Sequence, residues 1–147
     1  MKYGVEPPVV ESFLPEVEED RVMETMVEVP LVDRLRAGLP MGEFSTLQRL
    51  LEIPEEELAR LVGISAATLH RRKCAGHLET PESERVVRFA RLFGLAMEVL
   101  ESEGAAREWL KSQNAATAGE APLSYADTEF GAREVEHVLG RLDHGVF

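Results

Sequence analysis

The chain has 147 residues, 44% hydrophobic and 29% charged, which suits one compact domain with a core, or two very small ones, and excludes a disordered chain. Its formal net charge of −11 runs against the basic footprint of a nucleic-acid binder, and its single cysteine excludes an internal disulfide. No apolar run approaches the ~20 residues that span a bilayer, and MKYGVEPPVVES has no apolar signal segment, so a cytoplasmic protein with no membrane partner is expected.

The charge is uneven. Residues 1–30 set Lys2 and Arg21 against eight acids, residues 31–98 balance, and residues 99–147 set four basic residues against nine acids. Residues 1–29 hold three prolines and the acidic run PEVEEDRVMETMVEV, so they predict a flexible acidic arm, with at most a short amphipathic piece at Val22–Val27. Pro30 to Leu39 predicts a short helix turning Leu31, Leu35 and Val32 inward, stopped by Gly38 and Pro40. Gly42 to Ile53 predicts a second, with Phe44, Leu47, Leu50 and Leu51 on one side.

The next stretch, PEEELARLVGISAATLHRRKCAG at 54–76, is the most informative. Pro54 and Glu55–Glu57 suit a helix start. Leu58, Leu61 and Val62 make an apolar face, and Ala59 is small where a second helix must cross. Gly63 supplies the positive φ of a sharp turn, Ile64 fills the corner, and Ser65 caps a second helix over Ala66–Cys74. That helix buries Leu69 and turns His70, Arg71 and Lys73 outward. Together these features spell a phage-repressor-like helix-turn-helix, whose second helix enters the DNA major groove. The alternative is a plain αα-hairpin in a helical bundle, since such motifs also occur by chance. Candidate DNA-binding residues are Ser65, Ala66, Ala67, His70 and Arg71 at the groove, with Arg72 and Lys73 near phosphates. Arg72 stands where such motifs usually carry an apolar residue. Arg71-Arg72-Lys73 is the one dense basic cluster of the chain, so a homodimer is expected, to add phosphate contacts.

Thr80 and Pro81 predict the start of a long helix to about Glu101, striped by Val86, Phe89, Ala90, Phe93, Met97 and Leu100. Leu92 and Leu95 widen the stripe, which suits either a central core helix or a dimer interface. Gly104 interrupts it, and Ala105–Ser112 predicts a short helix with Trp109 in the core. A loop over Gln113–Asp127 precedes a last helix, Glu129–Asp143, capped by Thr128 or Asp127. Val135, Val138, Leu139 and Leu142 form its stripe, while Gly131 and Gly140 mark either close backbone approaches or tolerated weak points. His144, Gly145, Val146 and Phe147 follow. No strand pattern or repeat is visible, so the fold is expected to be all-α. Cys74 and His77 lack the second pair of a zinc site, and no acid/base or nucleophile constellation stands out. The residues imply no cofactor, no metal and no catalysis.

Both halves resemble one family. LARLVGISAATLHRRKCAGHLETPESERVVRFARLFGLA resembles Xre-type antitoxins. ARxWL at 106–110, N-A-A-x-x-G-x-x-P-L at 114–123 and DTxxGAxxVxxxLxRLxHGVF at 127–147 resemble the toxin-binding domain of the Xre/MbcA/ParS group. Family members commonly carry a leucine and paired glycines in the N-A-A-x-x-G run, where this chain has Thr117 and a single Gly119. The resemblance covers about residues 30–147, leaving the acidic arm at 1–29 outside it, and implies a helix-turn-helix domain at 30–79 and a helical dimerisation and toxin-binding domain at 80–147. It implies an antitoxin that covers the active site of a RES-domain, NAD-degrading toxin and represses its own operon, with operator DNA and the cognate toxin as partners. Toxin binding is expected from Val135, Val138, Leu142, His144, Gly145, Val146 and Phe147. The rival expectation is a stand-alone regulator whose C-terminal half senses a ligand or only dimerises.

Overall fold

The computed structural model describes residues 7–15 and 29–145. Val22–Val27, Val146 and Phe147 lie outside the described residues. Eight α-helices follow in order: α1 Leu31–Ala37, α2 Met41–Leu51, α3 Glu55–Val62, α4 Ala66–Ala75, α5 Thr80–Leu100, α6 Glu103–Lys111, α7 Pro122–Tyr125 and α8 Glu129–Asp143. Short 3₁₀ turns stand at Glu11–Phe13 and Ala115–Thr117. The fold is all-helical. Among the described residues the one bridge of strand type pairs Pro40 with His77.

α5 is the axis. Val86, Phe89, Ala90, Leu92, Phe93 and Ala96 are buried along it, and one apolar cluster joins them to Phe44, Leu47 and Leu51 of α2, Leu58 and Val62 of α3, Leu110 of α6, and Val135 and Leu139 of α8. The wide stripe is therefore filled within one chain, helices packing on α5 from several sides. The start of α5 differs from the expected Thr80 cap. Glu79 occupies the cap position, and its N–H donates to the Glu82 carboxylate at 2.9 Å. The Thr80 hydroxyl instead donates to the Arg36 carbonyl at 3.1 Å, tying α5 to the end of α1.

Long polar side chains lock the two halves together by satisfying helix ends. Arg85 on α5 donates to the Val62 carbonyl at 3.0 Å, at the end of α3. Arg107 on α6 donates to the Leu50 carbonyl at 2.7 Å, and Lys111 to the Leu51 and Glu52 carbonyls at 3.1 Å each. These carbonyls have no intrahelical partner, and cations favour the negative end of a helix dipole.

Three expectations need correction. The arm is not free over its described part: Val9 and Val10 are fully buried, and their N–H groups donate to the buried Glu43 carboxylate at 2.8 and 3.1 Å. The 3₁₀ turn then lies on Gly94 of α5, where an added Cβ would fall 1.9 Å from the Phe13 carbonyl oxygen. Leu31 and Val32 of α1 are exposed, and only Leu35 packs on the core. Trp109 is half-buried at the edge of the core, with Leu110 filling its interior.

The loop before α8 carries the departure from the family pattern. Thr117 is fully buried, its hydroxyl donating to the Glu120 carbonyl at 2.7 Å. Ala118 and Gly119 both take left-handed φ, 56° and 83°, so Ala-Gly makes the turn that paired glycines would suit. Thr128 caps α8, its hydroxyl accepting from the Gly131 N–H at 3.0 Å. Gly131 answers a close approach, since a Cβ there would meet the Tyr125 carbonyl oxygen at 1.8 Å; Gly140 has open space and is merely tolerated.

Candidate functional site

Leu69 is the one buried residue of α4, and most of the helix surface is exposed. At 3.6 residues per turn, the positions opposite Leu69 are Ala67, Arg71 and Cys74, with His70 beside them, and all four are exposed. Ser65 caps the helix as expected, its hydroxyl accepting from the Thr68 N–H at 3.1 Å. Thr68 Oγ1 then accepts from the Arg71 guanidinium at 2.9 Å. Ser65, Thr68 and Arg71, three residues apart, form one polar row that fixes where Arg71 points. Thr68 and Cys74 both sit on this face and were not among the sequence candidates. The three-residue spacing from Ser65 and the four-residue spacing from His70 are the signals that place them there. Cys74 Sγ is 3.6 Å from His70 Nε2, while among the described residues no group of three His, Cys, Asp or Glu is set to hold a metal.

The basic triplet divides. Arg71 stays outward. Arg72 turns towards Leu69's side and reaches α5, its Nε and Nη2 donating to the two Glu82 oxygens at 2.7 and 2.8 Å, with Glu79 3.5 Å away. Its side chain is 17% exposed and that of Glu82 8%. The expected phosphate contact from Arg72 is thus replaced by a bidentate clasp between α4 and α5. The hydrogen bond from Arg72 is the main reason the Glu82 carboxyl lies below its ordinary range; the Glu79 N–H and the charge of Arg85 add to it, against the cost of burial. The same bond holds the Arg72 pKa above its usual value. Lys73 pairs with Glu55 of α3 at 2.6 Å, but both side chains are substantially exposed, so this bond can be exchanged for a phosphate.

The C-terminal candidates also divide. Val135 and Val138 are buried, Leu142 is half-buried against the core, and His144 and Gly145 are exposed. Val135 and Leu139 join the core cluster with α5, and Leu142 packs against it, so the expected toxin contacts at Val135 and Val138 are buried in this chain and not displayed on its surface. Ion pairs frame the seam: Arg88 to Glu129 at 3.2 Å, Arg91 to Glu136 at 3.2 Å, and Arg91 to Glu129 at 3.5 Å. The outward face of α8 carries Phe130, the most exposed large hydrophobic among the described residues at 74%. Sequence periodicity passed over it because it lies off the stripe. No helix of the described residues is long and apolar enough to cross a membrane.

Two family models match successive parts of the chain. Residues 30–91 match the model of the antitoxin Xre-like helix-turn-helix domain, and residues 95–145 that of the antitoxin Xre/MbcA/ParS C-terminal toxin-binding domain. The chain is 34% identical over 119 residues to the antitoxin Xre of Yersinia enterocolitica, covering 80% of each chain. It is 30% identical over 115 residues to the antitoxin Xre of Photorhabdus laumondii, covering 76% of this chain and 77% of that one.

Proposed function

Because the chain belongs to the Xre antitoxin family, with an Xre-like helix-turn-helix followed by an Xre/MbcA/ParS toxin-binding domain, we propose that its cognate toxin is a RES-domain protein that degrades NAD. The antitoxin binds that toxin through residues of its C-terminal domain, covers the active site, and represses its own operon through α4. It acts in the cytoplasm, as a homodimer on its operator.

The observation that carries this reading is the geometry of α4. Its exposed face and its Ser65–Thr68–Arg71 row present the Arg71 guanidinium outward, as a base-reading helix requires. α5, clasped to α4 by Arg72 and Glu82, continues from this helix into the matched toxin-binding domain, so one rigid element connects both activities. The protein's acidity is concentrated away from α4: residues 31–98 are neutral, leaving the DNA-facing half without net repulsion towards phosphates.

Within the C-terminal domain, residues 144–147 are the proposed inhibitory tip. A pocket that binds the phosphates of a dinucleotide offers cations and hydrogen-bond donors, which suits the acid Asp143, while the aromatic Phe147, four residues on in the sequence, is the proposed anchor. Co-expression with the protein encoded by the adjacent reading frame tests this. The full chain should preserve cellular NAD. A chain lacking residues 144–147 should keep its fold and DNA binding yet lose protection. Full protection by the truncated chain would remove the tip from the inhibitory surface.

A further inference from the structure

We propose that the outward face of α8, centred on Phe130 and flanked by Arg133, His137 and Arg141, is a docking surface for the toxin. It is a second contact, separate from residues 144–147, and it takes an apolar pocket rimmed by carboxylates. The inference rests on the antitoxin reading and deepens it by naming the surface.

Four observations converge. Phe130, Arg133, His137 and Arg141 follow at spacings of three and four, so they form one ridge along the helix, and all are exposed. Phe130 is 74% exposed at one end of that ridge, where the opposite face of α8 is buried on α5. An aromatic side chain held on a rigid helix is the residue type that anchors protein interfaces. The third observation is charge. The segment 99–147 has four Lys or Arg residues against nine acids. Arg107 and Lys111 are committed to the carbonyls that end α2, leaving Arg133 and Arg141, and both stand on this ridge with no ion pair among the described residues. The acids of α8 are sorted the other way: Glu129 and Glu136 are drawn to Arg88 and Arg91 of α5. Glu134 alone approaches the ridge, 3.9 Å from His137. A strongly acidic chain has thus placed its two unpaired C-terminal arginines beside its most exposed aromatic.

The fourth observation identifies the occupant. The whole ridge lies inside the matched toxin-binding domain, residues 95–145. DNA would suit the arginines but would leave the exposed Phe130 without an apolar partner. A protein surface with an apolar recess seats Phe130, and acidic groups at its rim pair with Arg133 and Arg141.

The test uses the full chain and the purified protein encoded by the adjacent reading frame. Phe130→Ala should weaken binding about tenfold or more, the scale of an aromatic hot spot. The double reversal Arg133→Glu with Arg141→Glu should slow association and flatten its salt dependence. Both variants should keep the wild-type melting temperature, mass and operator affinity, since none of these side chains is buried. Toxin affinity within twofold of wild type for Phe130→Ala overturns the proposal. So does a loss confined to DNA binding, or a shift from dimer to monomer with toxin binding intact, which would give the ridge to DNA or to a second copy. If the wild-type chain itself fails to bind that protein, the antitoxin–toxin pairing fails first; if the wild type protects and Phe130→Ala protects equally, only the ridge fails.

Discussion

Arg71, Arg72 and Lys73 are consecutive cations with three different environments, and removing each should give three different results. Arg71 is exposed and aimed by Thr68 at 2.9 Å. If it reads a base, Arg71→Ala costs ~1–3 kcal/mol on operator DNA, roughly a 5- to 150-fold loss, with discrimination against non-operator DNA reduced. The melting temperature should not move, because Arg71 supports no buried group. Lys73 is held by an exposed pair with Glu55 at 2.6 Å, and such pairs contribute ~0–1 kcal/mol, so a phosphate can displace Glu55. Lys73→Ala should weaken operator and random DNA alike and reduce the slope of log affinity against log salt by about 0.9 per protomer. Arg72 is held at 2.7 and 2.8 Å by Glu82, which is buried. Arg72→Ala should leave the salt slope unchanged and lower the melting temperature, since Glu82 keeps its charge and loses its main partner. Filter binding or fluorescence anisotropy across a salt series, with thermal melts of the same proteins, measures all of these. A reduced salt slope and an unchanged melt for Arg72→Ala would refute the division of the triplet. Unchanged operator affinity for Arg71→Ala would remove α4 from the groove.

The Glu82–Arg72 clasp should also appear in the pH dependence of stability. Glu82 titrates lower in the folded chain than in the unfolded one, so its contribution is complete above the unfolded value, about 4.5, and is lost as pH falls through the folded value. The melting-temperature gap between wild type and Glu82→Gln should therefore be widest near neutral pH and narrow as the pH falls below about 4.5; a constant gap would contradict the clasp. Gly94→Ala should release residues 9–14 from α5, seen as faster amide exchange there, because its Cβ would overlap the Phe13 carbonyl. Val10→Ala, which removes about two methyl-sized groups, should cost ~1.6 kcal/mol in the native background and close to nothing beside Gly94→Ala. Additive costs would mean that the segment stays docked.

The helix-turn-helix was legible because its determinants are local. Gly63 at φ 85° and the Ser65 cap fix the turn within a few residues of sequence, and Thr128 does the same for α8. What the sequence hid depends on distant partners. The docking of Val9 and Val10 needs Glu43, 34 residues from Val9, and the bare backbone of Gly94; the acidic composition around the segment gives no sign of either. Which of three adjacent cations turns inward is decided by Glu82, ten residues beyond Arg72. The stripe of α8 announced a buried face but not its cover, and α5 of the same chain covers it. Phe130 escaped notice because periodicity weights the residues that recur, and an isolated aromatic on the opposite face has no period.

NAD consumption by the purified protein of the adjacent reading frame, with and without this chain, tests the proposed activity most directly. Consumption should fall to background as the chain reaches a molar equivalent. Unchanged NAD consumption in the presence of excess full-length chain would contradict the assignment of a RES toxin as its partner.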